Sequence, residues 1–459
     1  MTNNIVNVNV SQTQAPAAST LQGTGAFISQ GGTTTSVGTT ALITQMSDLT
    51  AILKTGLALT SLTWSTGVVT ATASAVHGFT IGDTFPLTIA GAVPVGYNGT
   101  YAVTVTTTTA FTFAIASNPG TETTPGTYVS GSVTELTQMA TTFFAQGSNV
   151  SVLVLELGEG SPAEGVTALT TYITNNPVTV YSYLVPRNWD AVSSFLTLCT
   201  NYQSTTSKTY FHVTTTNTNY TSYTALQKAV MTTIEAPVIG ATEFSAAAQF
   251  WQTLNYAPSS TNKVTPLSFS FVFGVTPYPR SGNGTKFAAW KAAGVNFIGT
   301  GYEGGISTAI LFWGTTMDVK PFNYWYAVDW LQINIDLNIS NAVINGSNNP
   351  INPLYLNQPG INTLQSVGAG TLTSAITFGM LLGQVIQSEL SGPAFSTALA
   401  TGVFAGQAVI NAVPFVAYYQ VSPSDYTTGT YNGFSITCTP LRGFESITFN
   451  INVTSFVSL

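Results

Sequence analysis

Charge is scarce in this chain of 459 residues: Asp, Glu, Lys and Arg make up 6% of it, against about 25% in ordinary globular proteins. Asp48 is the only charged side chain before Lys54. A free monomer with 44% hydrophobic residues would normally wear a coat of Lys and Glu. Its surface is therefore either coated by Thr, Ser and Asn or covered by partners. Histidine and cysteine are scarcer still, with His77, His212, Cys199 and Cys438 the complete set. None of the four stands at a ligand spacing, so zinc-type centres and histidine-dependent triads lack their parts, and the cysteines read as isolated thiols. Long apolar runs are missing too. Residues 405–419 come nearest but are interrupted by Gln407, Asn411 and Pro414, short of the roughly 20 apolar residues a bilayer span needs. The first residues lack the basic region and compact apolar core of a secretory signal, which predicts a protein made and kept in a cytoplasm. Ten basic residues spread singly within a net charge of -7 leave no footprint for nucleic acid.

What is present begins at the two ends. Val6, Val8 and Val10 alternate with Asn7, Asn9 and Ser11, and Ile447, Phe449, Ile451 and Val453 alternate with Thr448, Asn450, Asn452 and Thr454. A period of two turns one apolar and one polar face outward from a pleated strand. Residues 12–20, with Pro16, read as an extended tether behind the first of these strands. An arm of about seven residues spans roughly 23 Å, far enough to leave its own subunit. Strands offered at chain ends pair with open sheet edges through backbone hydrogen bonds. A terminal strand can equally pair inside its own domain, but two such ends on one chain point to a polymer-forming subunit.

Between the ends the texture changes twice. Residues 23–61 hold two short strands, 26–29 and 39–44, and a helix opening at Ser47. Residues 62–133 are Thr-rich β runs at 67–73, 85–90, 101–106 and 111–116, punctuated by His77-Gly78, Gly82-Asp83, Tyr97-Asn98 and Asn118-Pro119-Gly120. That spacing predicts an inserted β-sandwich or barrel, exterior to whatever is assembled. From residue 134 apolar strands at 150–157, 178–184, 210–214, 267–273 and 295–298 alternate with helices at 162–174, 189–202, 223–232 and 246–254, the signature of an α/β layer with a mainly parallel sheet. After Pro321, Phe322, Tyr326, Trp330, Ile333 and Leu337 share one helical face, which is most simply a core helix ending at Asn345-Gly346. Helices at 360–368 and 374–390 follow. The expected fold class is α/β and α+β multidomain: an α/β core domain with an inserted small all-β domain and strand-like N- and C-terminal arms. The expected divisions are 1–22 (N-terminal linker arm), 23–61 with 134–320 (core), 62–133 (insert), 321–442 (helical and β part) and 443–459 (C-terminal strand arm).

Chemistry finds little support. Gly299-Thr300-Gly301-Tyr302-Glu303-Gly304 matches G-x-G-x-x-G after a strand, but β-branched and aromatic residues follow where a dinucleotide fold needs a helix. A Gly-rich turn between strands accounts for it better. Asp329 with Asp336, seven apart on one helix face, and Glu156 with Glu159, flanking a strand end, are the paired carboxylates a glycosidase could use. Asp329 and Asp336 read more simply as the polar flank of their helix, paired with a basic group such as Lys320 or Arg442. His77, beside Gly78, reads as a turn residue.

The order of several short segments resembles the contractile tail sheath proteins of bacteriophages, in particular a sheath-like family formerly of unknown function. They are Thr142-Phe143-Phe144-Ala145-Gln146-Gly147, Asn323-Tyr324-Trp325-Tyr326, Asn352-Pro353-Leu354-Tyr355, Pro359-Gly360-Ile361-Asn362, Pro423-Ser424-Asp425-Tyr426 and Arg442-Gly443-Phe444. The resemblance implies a structural subunit without catalytic site, metal or cofactor. It implies stacked hexameric rings of self-associated subunits around a tail tube protein, bounded by baseplate and tail terminator proteins and assembled in the host cytoplasm into the virion, with no direct membrane insertion. Contraction would drive the tube through the host envelope, and the terminal arms would join neighbours by strand exchange. The competing readings are another virion component, tail tube or capsid, and a secreted carbohydrate-binding or carbohydrate-active β-rich protein.

Overall fold

Stretches such as Ala26-Phe27-Ile28 and Val152-Leu153-Val154-Leu155 are apolar at every position, a pattern that only a strand covered on both faces can bury. In the computed structural model they are inner strands of an eight-stranded sheet. The structure describes residues 21–445 apart from 78, 80, 83, 225, 227, 279–283 and 301–307. The arm residues Val6, Val8, Val10, Ile447, Phe449, Ile451 and Val453 lie outside the described residues. The chain divides into two compact units, one of Leu21–Ala257 and Val264–Tyr326 with Arg442 to Glu445, the other of Pro258–Lys263 and Ala327–Leu441.

The first unit opens with β1 (Gly25–Ser29), β2 (Thr40–Ile43) and α1 (Met46–Ile52), then leaves for a closed six-stranded barrel. The barrel strands are β3 (Leu57–Ser65), β4 (Val68–Ala73), β5 (Thr84–Ala90), β6 (Gly99–Val105), β7 (Ala110–Ala114) and β8 (Thr127–Ser130), closed in the order β3-β4-β7-β6-β5-β8. Alternation builds it. Val69 and Ala71, Leu87 and Ile89, Val103 and Val105, and Phe111 and Phe113 point inward to one core, while the intervening threonines face out. The expected small all-β element is thus a barrel, and it starts at Leu57.

The chain returns through α2 (Gly131–Phe144) and then alternates: β9 (Val152–Glu156), α3 (Pro162–Asn175), β10 (Ser182–Leu184), α4 (Ser193–Thr200), β11 (Tyr210–Thr215), β12 (Val230–Ile234), α5 (Ser245–Leu254), α6 (Gly284–Ala292), β13 (Asn296–Thr300) and β14 (Ala309–Phe312). The sheet order is β14-β13-β12-β11-β10-β1-β9-β2, parallel except at its two outer pairs, β13-β14 and β9-β2. Side chains part by face. Ala26, Ile28 and Leu155 pack with Val166 and Leu169 of α3 and Phe195 of α4. Phe27, Val152 and Val154 pack with Leu49 of α1, Met139 and Phe143 of α2 and Phe250 of α5. Helices therefore cover both faces of a mixed α/β unit.

The second unit takes α7 (Phe322–Ser347) from Ala327 onward, then α8 (Gln358–Thr377), β15 (Val385–Ser388), α9 (Gly392–Ala400), β16 (Ala408–Ala412), α10 (Phe415–Val421), α11 (Pro423–Thr428) and β17 (Phe434–Thr437). Its sheet is β15-β16-β17, parallel then antiparallel.

Several elements depart from the sequence reading. The helix expected at 223–232 is a short 3₁₀ turn followed by the fully buried strand β12. The strand expected at 267–273 is an irregular segment with an isolated bridge from Phe271 to Ile310. The two helices expected at 360–368 and 374–390 are the single helix α8 and then strand β15. Gly379, at φ +76°, ends α8, where the Gly379 N–H donates to the Ile376 carbonyl at 3.0 Å and the Met380 N–H to that of Ala375 at 2.9 Å.

Candidate functional site

The small sheet of the second unit is built around β16, buried along its whole length. Helix α8 is capped by Asn357, whose side chain accepts from the Gly360 N–H at 3.0 Å. It lies close over this strand because Gly368 has no side chain: a Cβ there would stand 2.5 Å from Cδ1 of Ile410. Gln365, buried in α8, donates to the carbonyls of Ser388 at 2.8 Å and Ile410 at 3.0 Å. Asn411 extends the sheet with its side chain, accepting from the Leu390 N–H and donating to the Leu390 carbonyl, both at 2.9 Å.

Among the described residues β15 and β17 each pair on one side only. Beside β17 runs an apolar groove of about 600 Å³. Val328, Leu331, Ile335 and Ile339 of α7 form one wall, Leu364 of α8 contributes to another, and Phe434, Ile436 and Cys438, alternate residues of the β17 segment, line it from the sheet. Burial pushes the Cys438 thiol above its ordinary pKa. A strand laid along β17 would gain backbone hydrogen bonds and set alternate side chains over this groove. The sequence reading missed these residues. Its signal was available: Val328, Leu331, Ile335 and Ile339 make a second apolar stripe on α7 besides the one beginning at Phe322.

The singled-out α7 carboxylates separate. Asp329 is fully buried and Asp336 is exposed on the groove rim, so the expected polar flank holds for Asp336 and is corrected for Asp329. Seven residues return nearly to the same face, but burial along α7 falls off toward its C-terminus. Lys320 pairs with Asp318 and Arg442 with Glu445, each at 3.5 Å.

In the first unit, the carboxyl ends of the parallel strands are where α/β sheets bind ligands. Here they carry internal bonds. Glu156, at the end of β9 and buried, accepts from the Gly31 N–H at 2.7 Å and the Gly158 N–H at 2.8 Å through Oε1. Its Oε2 accepts from the Ser29 hydroxyl at 2.7 Å, the Thr33 N–H at 3.0 Å and the Thr33 hydroxyl at 2.7 Å. Glu159 instead pairs with Lys54 at 3.2 Å. Beyond β10, Arg187 grips Glu235 with two bonds of 2.8 and 2.9 Å and stacks 4.3 Å over Phe244. Its neighbour Glu135 has its pKa raised by burial, opposed by the Arg187 N–H and charge.

The Gly-rich motif begins inside β13, at Gly299 and Thr300, and the next described element along the chain is its antiparallel neighbour β14; the rest of the motif lies outside the described residues. His77 is not simply a turn residue: it is buried, stacked on Phe79 at 4.7 Å, and accepts the Phe79 N–H at 3.0 Å. His212 is fully buried in β11 beside Phe250, and burial pulls its pKa down to about 3. Cys199 and Cys438 are both free thiols. Among the described residues no three His, Cys, Asp or Glu side chains are grouped to hold a metal, and no helix is long and apolar enough to cross a membrane.

No family model matches the sequence, and no curated protein matches it. Solved structures do match. A chain of the anti-feeding prophage helical sheath in its contracted state aligns over 98% of this chain and 99% of its own, with a TM-score of 0.51 at 10% identity. The chain has the fold of a tail sheath protein. A chain of the six-fold symmetrised anti-feeding prophage baseplate aligns over 99% of both chains with a TM-score of 0.52 at 12% identity. A sheath tail protein of Listeria innocua aligns over 80% of this chain and 87% of its own at 10% identity, with a TM-score of 0.40. At 10–12% identity, shared backbone architecture, and not side-chain chemistry, is what the likeness carries.

Proposed function

We propose that this protein is a structural subunit of a contractile tail sheath, polymerising as stacked hexameric rings around a tail tube and contracting to drive the tube through a host envelope. The observation that carries this reading is the likeness to the anti-feeding prophage helical sheath over 98% of the chain. The paucity of charge, 6% of residues, supports it, because a subunit enclosed by neighbours needs little solvating coat. So does the apolar groove beside β17. In this reading the strand arms carrying Val6, Val8 and Val10, and Ile447, Phe449, Ile451 and Val453, add to the open edges β15 and β17 of neighbouring subunits. The alternate apolar side chains of one arm cover the groove. A head-to-tail contact of this kind does not close on itself and so generates a helical filament. Held in an extended metastable form, the filament would release free energy on shortening, while the arms keep neighbours linked. The partners are then other copies of the chain, the tube protein, and the baseplate and terminator at the two ends.

Negative-stain electron microscopy of three proteins tests this: the intact chain, a version lacking residues 443–459, and Ile335→Asp in the groove. Hollow thick-walled cylinders with an axial repeat from the intact chain, and single folded subunits from the other two, are the expected result. Narrow tubes or closed shells would favour a tail tube or capsid protein. Intact chains that stay monomeric across concentration and salt would remove the proposal.

A further inference from the structure

The threonine-coated barrel carries a concave feature that combines an aromatic ring with polar side chains. A cavity of about 340 Å³ opens where β3, the turn before β6 and the connection from β7 to β8 meet. Trp64 forms one wall. Its indole N–H is already spent on the Ile115 carbonyl at 2.8 Å, so what it offers a ligand is ring carbon. Tyr97, buried, closes the cavity with its hydroxyl bound to the Gly120 carbonyl at 2.8 Å. Two polar side chains are held by one atom each and keep another in hand. Glu122 accepts from the Leu62 N–H through Oε2 at 3.2 Å, leaving Oε1 as an acceptor. Asn118 accepts from the Gly120 N–H through Oδ1 at 2.9 Å, leaving its amide N–H groups as donors. Thr63 and Thr121 add exposed hydroxyls at the rim.

This set has a specific complement. A pair of neighbouring sugar hydroxyls uses one carboxylate acceptor and one amide donor together, and the C–H face of a pyranose lies against an aromatic ring. The volume is near the lower end for ligand pockets, about 300–1,000 Å³, which suits one sugar ring. No Lys or Arg lines the cavity, and the Glu122 carboxylate repels anions, so phosphates and uronic acids are disfavoured. We propose that this cavity binds a neutral hexose unit, either as a free sugar or within a surface glycan. That would make the barrel a carbohydrate-recognition module carried by a structural subunit.

Saturation-transfer NMR on the full-length chain tests the proposal, with glucose, galactose, mannose, N-acetylglucosamine and glucuronic acid as probes at tens of millimolar and a neutral bacterial polysaccharide as a separate arm. At least one neutral sugar is expected to receive saturation while glucuronic acid does not. The Asn118→Ala/Glu122→Gln double variant should weaken binding at least about tenfold, as expected for losing a hydrogen bond to a charged group. Thr121→Lys, which fills the rim and breaks none of the bonds above, guards against a double variant that fails to fold; it should also abolish transfer while keeping the parent thermal midpoint. Signal from the polysaccharide alone would assign the site to an extended glycan. No transfer from any neutral probe, or transfer unchanged in a folded variant, would overturn the proposal. The readout does not depend on assembly, so it fails or succeeds independently of the sheath reading.

Discussion

Replacing Glu156 by glutamine changes one atom and should be among the most damaging substitutions in the first unit. The side chain is 2% exposed and both oxygens are fully engaged, Oε1 by two backbone N–H groups and Oε2 by a backbone N–H and two hydroxyls. A glutamine must turn its NH2 toward one of these sets. Backbone donors cannot reverse but hydroxyls can, so with the NH2 turned to the Oε2 set one bond, that of the Thr33 N–H, is lost and made repulsive, and the other four lose the charge that strengthened them. Hydrogen bonds to a charged group contribute about 1.5–3 kcal/mol each against about 0.5–1.5 kcal/mol for neutral pairs, so one lost and four weakened bonds give an expected loss of about 3–6 kcal/mol, a large part of a typical stability of about 5–15 kcal/mol. At about 2 °C per kcal/mol for a unit of this size, the thermal midpoint followed by far-UV circular dichroism should fall by roughly 6 °C or more. Ser29→Ala removes a single donor to Oε2, together with the acceptor for the Gly32 N–H at 3.0 Å, and should cost about half as much. A shift of under about 2 °C for Glu156→Gln would refute the view that this carboxylate fastens the loop after β1 to the end of β9.

Buried His212 is neutral in the folded chain, with its pKa lowered by burial to about 3, while the unfolded chain takes up that proton below about pH 6.5. Its contribution to stability is complete above pH 6.5 and is lost as pH falls toward 3, at about 1.4 kcal/mol per pH unit. Urea unfolding across that window should therefore show a shallower acid loss in His212→Phe, and parallel curves would contradict the assignment. Asn411→Leu takes the amide partner from the half-buried Leu390 N–H and carbonyl and should cost about 1–3 kcal/mol, read as a drop in thermal midpoint. An unchanged midpoint would mean that the Asn411 amide does not hold the end of the small sheet.

Much of the fold was legible because it rests on local periodicity. The start of α7 followed from Pro321 and the spacing of Phe322 and Tyr326, and four of the six barrel strands, β4 to β7, from turn residues that bracket alternating threonines. Where the reading failed, long-range structure overrode the local pattern. β12 is an inner strand with all five residues buried, so it lacks alternation, and the apolar residues leading into it imitate a helix. β3 and β8 were both missed; in β3 a bulge between Leu59 and Ser61 breaks the period of two. Gly379 carried a stop signal for α8 that the apolar residues on either side concealed. Glu156 and Glu159 looked alike in sequence, and only the folded chain, which brings Ser29, Gly31 and Thr33 to one of them, separates their roles. The groove beside β17 draws on segments from Val328 to Cys438, a convergence that no window of sequence displays.

The way into the barrel and the way out of it are neighbours, for β3 and β8 pair antiparallel with Ala58 opposite Thr127. On either side of that doorway, Leu49 of α1 and Leu136 of α2 already share a core. The α/β sheet therefore takes no strand from the barrel and needs none. The barrel behaves as a cassette: another module with adjacent ends could occupy the same doorway without shifting the register of the sheet. Exchanging the module would leave the α/β scaffold that carries it as it is.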